Sequence, residues 1–198
     1  MNVVFDLGNV LIDWNPRYLY RKLLPNEAEV ERFLNEICTD EWNVRMDAGL
    51  PMAEGIAEKV QEFPEHETLI RAWWERWPEM LGEPLAETVE ILQELQNAGT
   101  PLYVLSNWSA DTYPLAEPSF PFLGWFRGKV ISGEVKMKKP DPEIYQHLLE
   151  RFGLEPSQTV FIDDKSANVA AANVEGIRGL VFTGAAKLRA DLGQMGLL

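Results

Sequence analysis

The chain has 198 residues, a formal net charge of −13 and 46% hydrophobic residues. That length fits one domain, or a core carrying a smaller insertion, and the apolar content is enough for a packed core. The acidic balance argues against a basic nucleic-acid footprint as the main activity, and no run approaches the roughly 20 apolar residues of a membrane span.

Cys38 is the single cysteine, so no intrachain disulfide forms, which fits a reducing, cytoplasmic setting. The N-terminal segment MNVVFDLGNVLIDW has no basic stretch, and Asp6 interrupts its apolar run. It does not read as a signal peptide.

In chain order, the first expected element is a buried strand, Val3 to Phe5, running into Asp6. From Trp14 to Gly82 only helical patterns appear. Asn26, after Pro25 and followed by Glu27 and Glu29, marks a helix start, and Val30, Phe33, Leu34 and Ile37 form its apolar stripe. Gly49–Pro51 and Phe63–Pro64 mark breaks, which gives about four helices. Trp73, Trp74 and Trp77 are expected to pack inside this segment.

After Pro84 strands and helices alternate. A stripe at Val89, Leu92 and Leu95 precedes a strand, Leu102 to Leu105, that ends in Ser106 and Asn107. A weaker apolar run, Val130–Ile131, precedes a stripe at Ile144, Leu148 and Phe152. Val160 to Ile162 runs into Asp163 and Asp164; Leu180 to Phe182 is the last strand, and a closing helix starts near Ala185. This alternation predicts an α/β fold, a Rossmann-like parallel sheet flanked by helices, built from residues 1–13 and 84–198. Residues 14–83 would form a small inserted helical cap.

Three strands therefore end in reactive side chains, and in open parallel sheets ligands bind outside the carboxyl ends of the strands. Carboxylates gathered there are costly without a partner, which points to a cation. Mg2+, which takes few carboxylates, waters and a substrate phosphate, suits the inventory. Lys139, in KKPDPEIY, is placed to join them, with Pro140 expected in the first turn of the next helix and Lys136 and Lys138 as nearby rivals. His66 and His147 are too isolated to form a metal pair.

The segments FDLGNVL, LSN, KPDPEIY and FIDD, in that order, resemble the four motifs of the haloacid dehalogenase superfamily. The resemblance covers the whole chain, and the insert is similar to that superfamily's first type of cap, which marks a subfamily IA-like hydrolase. DLGNV together with LSNW looks most like small-molecule phosphatases, including a branch acting on α-D-glucose 1-phosphate.

The resemblance implies a Mg2+-dependent phosphatase acting on a small phosphorylated metabolite. Asp6 would be the nucleophile that forms an aspartyl-phosphate. The metal would be held by Asp6, the Gly8 carbonyl, and Asp163 and/or Asp164. Ser106 and the Asn107 amide would donate to phosphoryl oxygens, and Lys139 would pair with both the phosphate and Asp6. Trp14 and Trp108, next to the first and second motifs, are candidates to stack on substrate or to pack the join between cap and core.

One departure stands out. Many phosphatases of this superfamily carry an acid two residues after the nucleophile, and here that position is Gly8, which has no proton to transfer. Asp13, a cap residue such as Asp47, or bulk water are the candidate replacements. Asp13 to Pro16 and Leu81 to Pro84 are the expected hinges of the cap. The rival functions are a 2-haloacid dehalogenase, a phosphoglucomutase-like phosphotransferase and a non-catalytic phospholigand-binding module. The paired acids of FIDD argue against the first, the missing second aspartate against the second, and the retained Asp6, Ser106 and Lys139 against the third.

Overall fold

A computed structural model describes residues 1–198. Five parallel strands form the central sheet: β1 (Asn2–Phe5), β4 (Leu102–Ser106), β5 (Gly128–Ile131), β6 (Thr159–Asp163) and β7 (Arg178–Val181), in the order β5-β4-β1-β6-β7. The weak run at Val130–Ile131 is thus a real strand, and the last strand lies slightly earlier than its apolar residues suggest.

Burial follows the two-residue period of the strands. Val3, Phe5, Leu102, Val104, Val160 and Ile162 pack on one face, and Val4, Tyr103, Leu105 and Phe161 on the other. Helices cover both faces, which is why these strands read as unbroken apolar runs. The core helices are α6 (Ala86–Asn97), the short α7 (Tyr113–Ala116) and α8 (Ser132–Val135), then α9 (Pro142–Phe152), α10 (Ser166–Val174) and α11 (Ala185–Gln194). Ile144 and Leu148 of α9 fill the second face, whereas Phe152 is only partly buried against Tyr103.

Two short strands fall where only hinges were expected. β2 (Ile12–Trp14) and β3 (Leu81–Pro84) pair antiparallel, with an irregular register. Three and four residues are too few to show a two-residue period, and Pro84 is tolerated because the ribbon has only edges. Gly82 leaves room there for the Asp13 side chain, whose carboxylate a Cβ would displace.

Between β2 and β3 lie five α-helices, one more than the breaks suggest: α1 (Arg17–Leu23), α2 (Glu27–Glu36), α3 (Asp40–Asp47), α4 (Met52–Glu62) and α5 (Glu67–Glu75). Asn26 caps α2, accepting the Glu29 amide at 3.0 Å. Trp73 is buried at the centre of the insert, edge-on to Trp14 and Trp42. Trp74 is 39% exposed and does not pack inside, because its neighbour in sequence takes the inward position on α5. The inner apolar cluster runs without interruption from the insert to the sheet, through residues such as Trp42, Trp77, Trp108 and Phe5. No helix is long and apolar enough to cross a membrane.

Candidate active site

β1 is the central strand, with β4 and β6 as its two parallel neighbours. The chain runs outward to one side through β4 and β5 and to the other through β6 and β7, so the ends of β4, β1 and β6 open onto the switch point of the sheet. Ser106, Asp6 and Asp163 stand at those three ends.

All three donors to Asp6 fall on one oxygen. Its Oδ1 accepts from Ser106 Oγ at 2.7 Å and the Leu7 amide at 2.8 Å, and lies 3.0 Å from Lys139 Nζ. Asp6 is 7% exposed. Burial pushes its carboxyl up to about 6, against the pull of Lys139, with Asp163 adding to the rise. Beyond Asp6 the chain turns tightly through Gly8 and Asn9, whose φ of +57° is a left-handed conformation that asparagine tolerates.

Lys139 is buried, and its ammonium has three partners: Asp6, Asp163 at 2.6 Å and the Leu105 carbonyl at 2.9 Å. Burial alone would lower this ammonium's pKa. Asp6 and Asp163 outweigh it and hold the group above its usual value. Lys136 and Lys138 make no such contacts; Lys138 pairs with Asp141 on the surface. The helix after Lys139 starts one proline later than expected: Asp141 takes the N-cap position and Pro142 the first turn, so Pro140 belongs to the preceding turn.

Two asparagines brace this arrangement. Asn107 exchanges two hydrogen bonds with the backbone of Lys139, Nδ2 to the carbonyl at 2.9 Å and Oδ1 from the amide at 2.8 Å. Its side chain therefore positions the lysine, a role not visible from LSN. Asn168, which sequence reasoning missed, donates from Nδ2 to both oxygens of Asp163 at 3.0 Å. Lys139 and the Lys165 amide at 2.7 Å also donate to Asp163, so three donor groups surround its carboxylate.

The carboxylates of Asp6, Asp163 and Asp164 each offer an oxygen within 4.8 Å of the others. Asp164 is half-buried and lines the cavity, and burial and then Asp163 raise its pKa. Three carboxylates share one buried lysine, so with all three ionised the cluster is two positive charges short of neutrality, a deficit that a divalent cation would match.

The cavity above Asp6 has a volume of about 240 Å³ and lies between the sheet edge and the insert. Trp14, Trp77 and Trp108 line it, Trp77 and Trp108 packing 5.7 Å apart. Trp77 was expected to pack only within the insert. The opposite wall is one face of α3: Asp40, Asn43, Val44 and Asp47. Their i, i+3, i+4, i+7 spacing was legible as a helix face, but its polar character hid it among surface positions. Asp13 lies elsewhere, its Oδ2 accepting the Tyr18 hydroxyl at 2.5 Å.

The profile of haloacid dehalogenase-like hydrolases matches residues 1–176. A sesquiterpene phosphatase, astK, from Aspergillus oryzae is 27% identical over 91% of this chain and 88% of its own length. The pyrophosphatase PpaX from Bacillus velezensis is 30% identical over 91% of this chain and 83% of its own. Among solved structures, a HAD-family enzyme from Bacteroides thetaiotaomicron, in complex with magnesium and inorganic phosphate, has a TM-score of 0.69 at 24% identity, covering 91% of this chain and 92% of that one. With its motif residues gathered at one sheet edge, the chain belongs to the haloacid dehalogenase-like hydrolase family.

Proposed function

We propose that the protein is a Mg2+-dependent phosphatase that hydrolyses small phosphate monoesters, sugar phosphates among them, through Asp6. The observation that carries this reading is the joining of Asp6, Ser106 and Lys139 to Asp163 and Asp164 at the ends of three adjacent strands.

The donor set fits a hard divalent cation: oxygen ligands only, with a deficit of positive charge among the carboxylates. Asp6, Asp164 and the Gly8 carbonyl would hold it, whereas Asp163, with three donor groups already on its buried carboxylate, serves as the counter-charge that fixes Lys139. When bound, the cation neutralises phosphoryl charge and aligns the group. Asp6 attacks phosphorus and forms the aspartyl-phosphate, Ser106 donates to a phosphoryl oxygen, and Lys139 offsets the charge that builds there. Water then cleaves the acyl-phosphate.

The cavity favours a polyhydroxy leaving group. Asp40, Asn43 and Asp47, which line it, would exchange hydrogen bonds with hydroxyls, and the tryptophan wall would pack against the apolar face of a sugar ring. A second phosphate group, as in pyrophosphate, would face the carboxylates of Asp40 and Asp47, with Lys165 to offset them. Residues 14–83 act as the cap over residues 1–13 and 84–198, hinged at the β2–β3 ribbon, and exclude water when seated.

The test is hydrolysis of p-nitrophenyl phosphate and a sugar-phosphate panel with Mg2+, with EDTA, and with Asp6→Asn. Turnover should require Mg2+ and fall on the order of 10⁴-fold or more in the variant. A folded protein that turns over no phosphate ester would discard the reading.

A further inference from the structure

We propose that Asp47, at the C-terminal end of α3, is the general acid–base of this phosphatase, carried in by the insert to replace the proton donor that Gly8 does not supply. The inference rests on the phosphatase reading above.

The side chains that follow Asp6 and the other carboxylate of the α3 wall do not supply the proton. Gly8 has no side chain, and Asn9 beside it is an amide without a transferable proton. Asp13 is held by Tyr18 and packed against Gly82 in the ribbon. On the α3 wall, Asp40 is exposed at the rim, seven residues or about 10 Å along the helix from Asp47. Asp47 lies at the end of the helix that is fastened to the core.

That fastening is specific. The Ser132 hydroxyl donates to the Asp47 carbonyl, and the same hydroxyl oxygen accepts the Trp108 amide at 2.9 Å. Asp47 is thereby linked to the end of β4, two residues beyond Ser106. Gly49, at φ +103°, lets the following loop pass close to the Gly133 carbonyl.

The carboxyl of Asp47 is half-buried: protein surrounds it, while one side stays open to the cavity. Asn43 donates to it from its own helix at 3.1 Å. Lys165, ahead of α10, and the Ser109 amide favour its charged form, whereas Asp6 and Asp40 oppose it. Burial outweighs them all and pushes the carboxyl up to about 7, so both protonation states are populated near neutrality, as a group that gives and retakes a proton requires.

The steps balance. An Asp6 oxygen attacks phosphorus as the bond from phosphorus to the leaving oxygen breaks. The proton of Asp47 passes to that oxygen and an alcohol departs. The Asp47 carboxylate then takes a proton from the water that attacks the aspartyl-phosphate; inorganic phosphate leaves, and both aspartates return to their starting forms. Because Asp47 rides on the insert, the proton donor is in place only when the cavity is closed.

The experiment compares kcat/KM, which reports the leaving-group step, for p-nitrophenyl phosphate and glycerol 2-phosphate across about pH 5–9 at saturating Mg2+. In the unaltered protein the alkyl ester should lose rate as pH rises through about 7, where Asp47 gives up its proton, and the aryl ester should not share that loss. Asp47→Asn should cost on the order of 10²-fold or more on the alkyl ester but only about threefold on the aryl ester, whose phenolate leaves unprotonated. The variant should also flatten the high-pH limb, and Asp47→Glu should restore part of the rate. Equal losses on both esters, no loss on either, or a high-pH limb that persists in Asp47→Asn would overturn the proposal and leave the role of Asp6 standing. If the asparagine variant does not fold, matching high-pH limbs for the two esters in the unaltered protein overturn it equally. A protein active on neither ester overturns the phosphatase reading and this inference with it.

Discussion

The edge of the sheet and the inner face of α3 bound the same cavity and are built on opposite terms. At the sheet edge Asp6, Lys139 and Asp163 each have fixed partners: three donors on one oxygen of Asp6, three acceptors around Lys139 and three donor groups on Asp163. On α3 the polar groups stand in a row, and the hydrogen bond from Asn43 to Asp47 links them within their own helix. A site that must stabilise developing charge gains from donors already in place. A wall that must admit substrate and release product gains from being able to leave. On the functional reading proposed above, the difference divides the labour: transition-state electrostatics would belong to the core, substrate selection and proton delivery to the insert.

The severest way to break the comparison is to remove the lysine that joins its charges. Lys139→Met leaves Asp6 and Asp163 buried without their counter-ion. Loss of one partner from a buried charge cluster costs about 3–5 kcal/mol, so the melting temperature should drop sharply and activity should disappear. Thermal unfolding at neutral pH checks it. An unchanged melting temperature would mean that the cluster relaxes far more readily than its hydrogen bonding implies.

The next effect separates the paired aspartates, which the sequence presents as equivalent. Asp164→Asn should raise the Mg2+ concentration for half-maximal rate by more than about tenfold, since Asp164 faces the cavity. Asp163→Asn should lower kcat, through a displaced Lys139, and leave the Mg2+ requirement within about threefold of the original, as expected of a group that acts through another. Metal titrations of both variants decide the matter; the reverse pattern would assign the cation to Asp163.

That distinction shows where sequence reasoning stops. The strands were legible because burial on both faces leaves unbroken apolar runs, and Asp6, Ser106 and Asp163 were legible because they end those runs. Asn168 and the bracing role of the Asn107 side chain were not, because they depend on partners that only the fold brings near: Asn107 meets Lys139 from 32 residues away. The β2–β3 ribbon was invisible for a different reason, its strands being shorter than the pattern that would announce them. The polar row on α3 could have been found, since Trp42 and Met46 of that helix turn to the core of the insert and leave Asn43 and Asp47 on another face.

The smallest expected effect falls on the contacts that tie the two regions together. Pro51, at the N-cap position of α4, provides no side-chain cap, and Asp111 of the core accepts the Met52 amide at 2.7 Å instead. A helix of the insert is thus capped by a residue of the core, and the capping energy is gained only when the insert is seated. Asp111→Ala should cost about 1 kcal/mol, the usual value of a helix cap. If the insert moves as a cap, that cost falls on the closed state, so KM should rise about fivefold at nearly constant kcat while the melting temperature shifts little. If the insert is instead fixed to the core, the same variant lowers the melting temperature and leaves KM alone. Steady-state kinetics and a melt on one variant therefore decide whether the α3 wall moves with respect to the sheet edge.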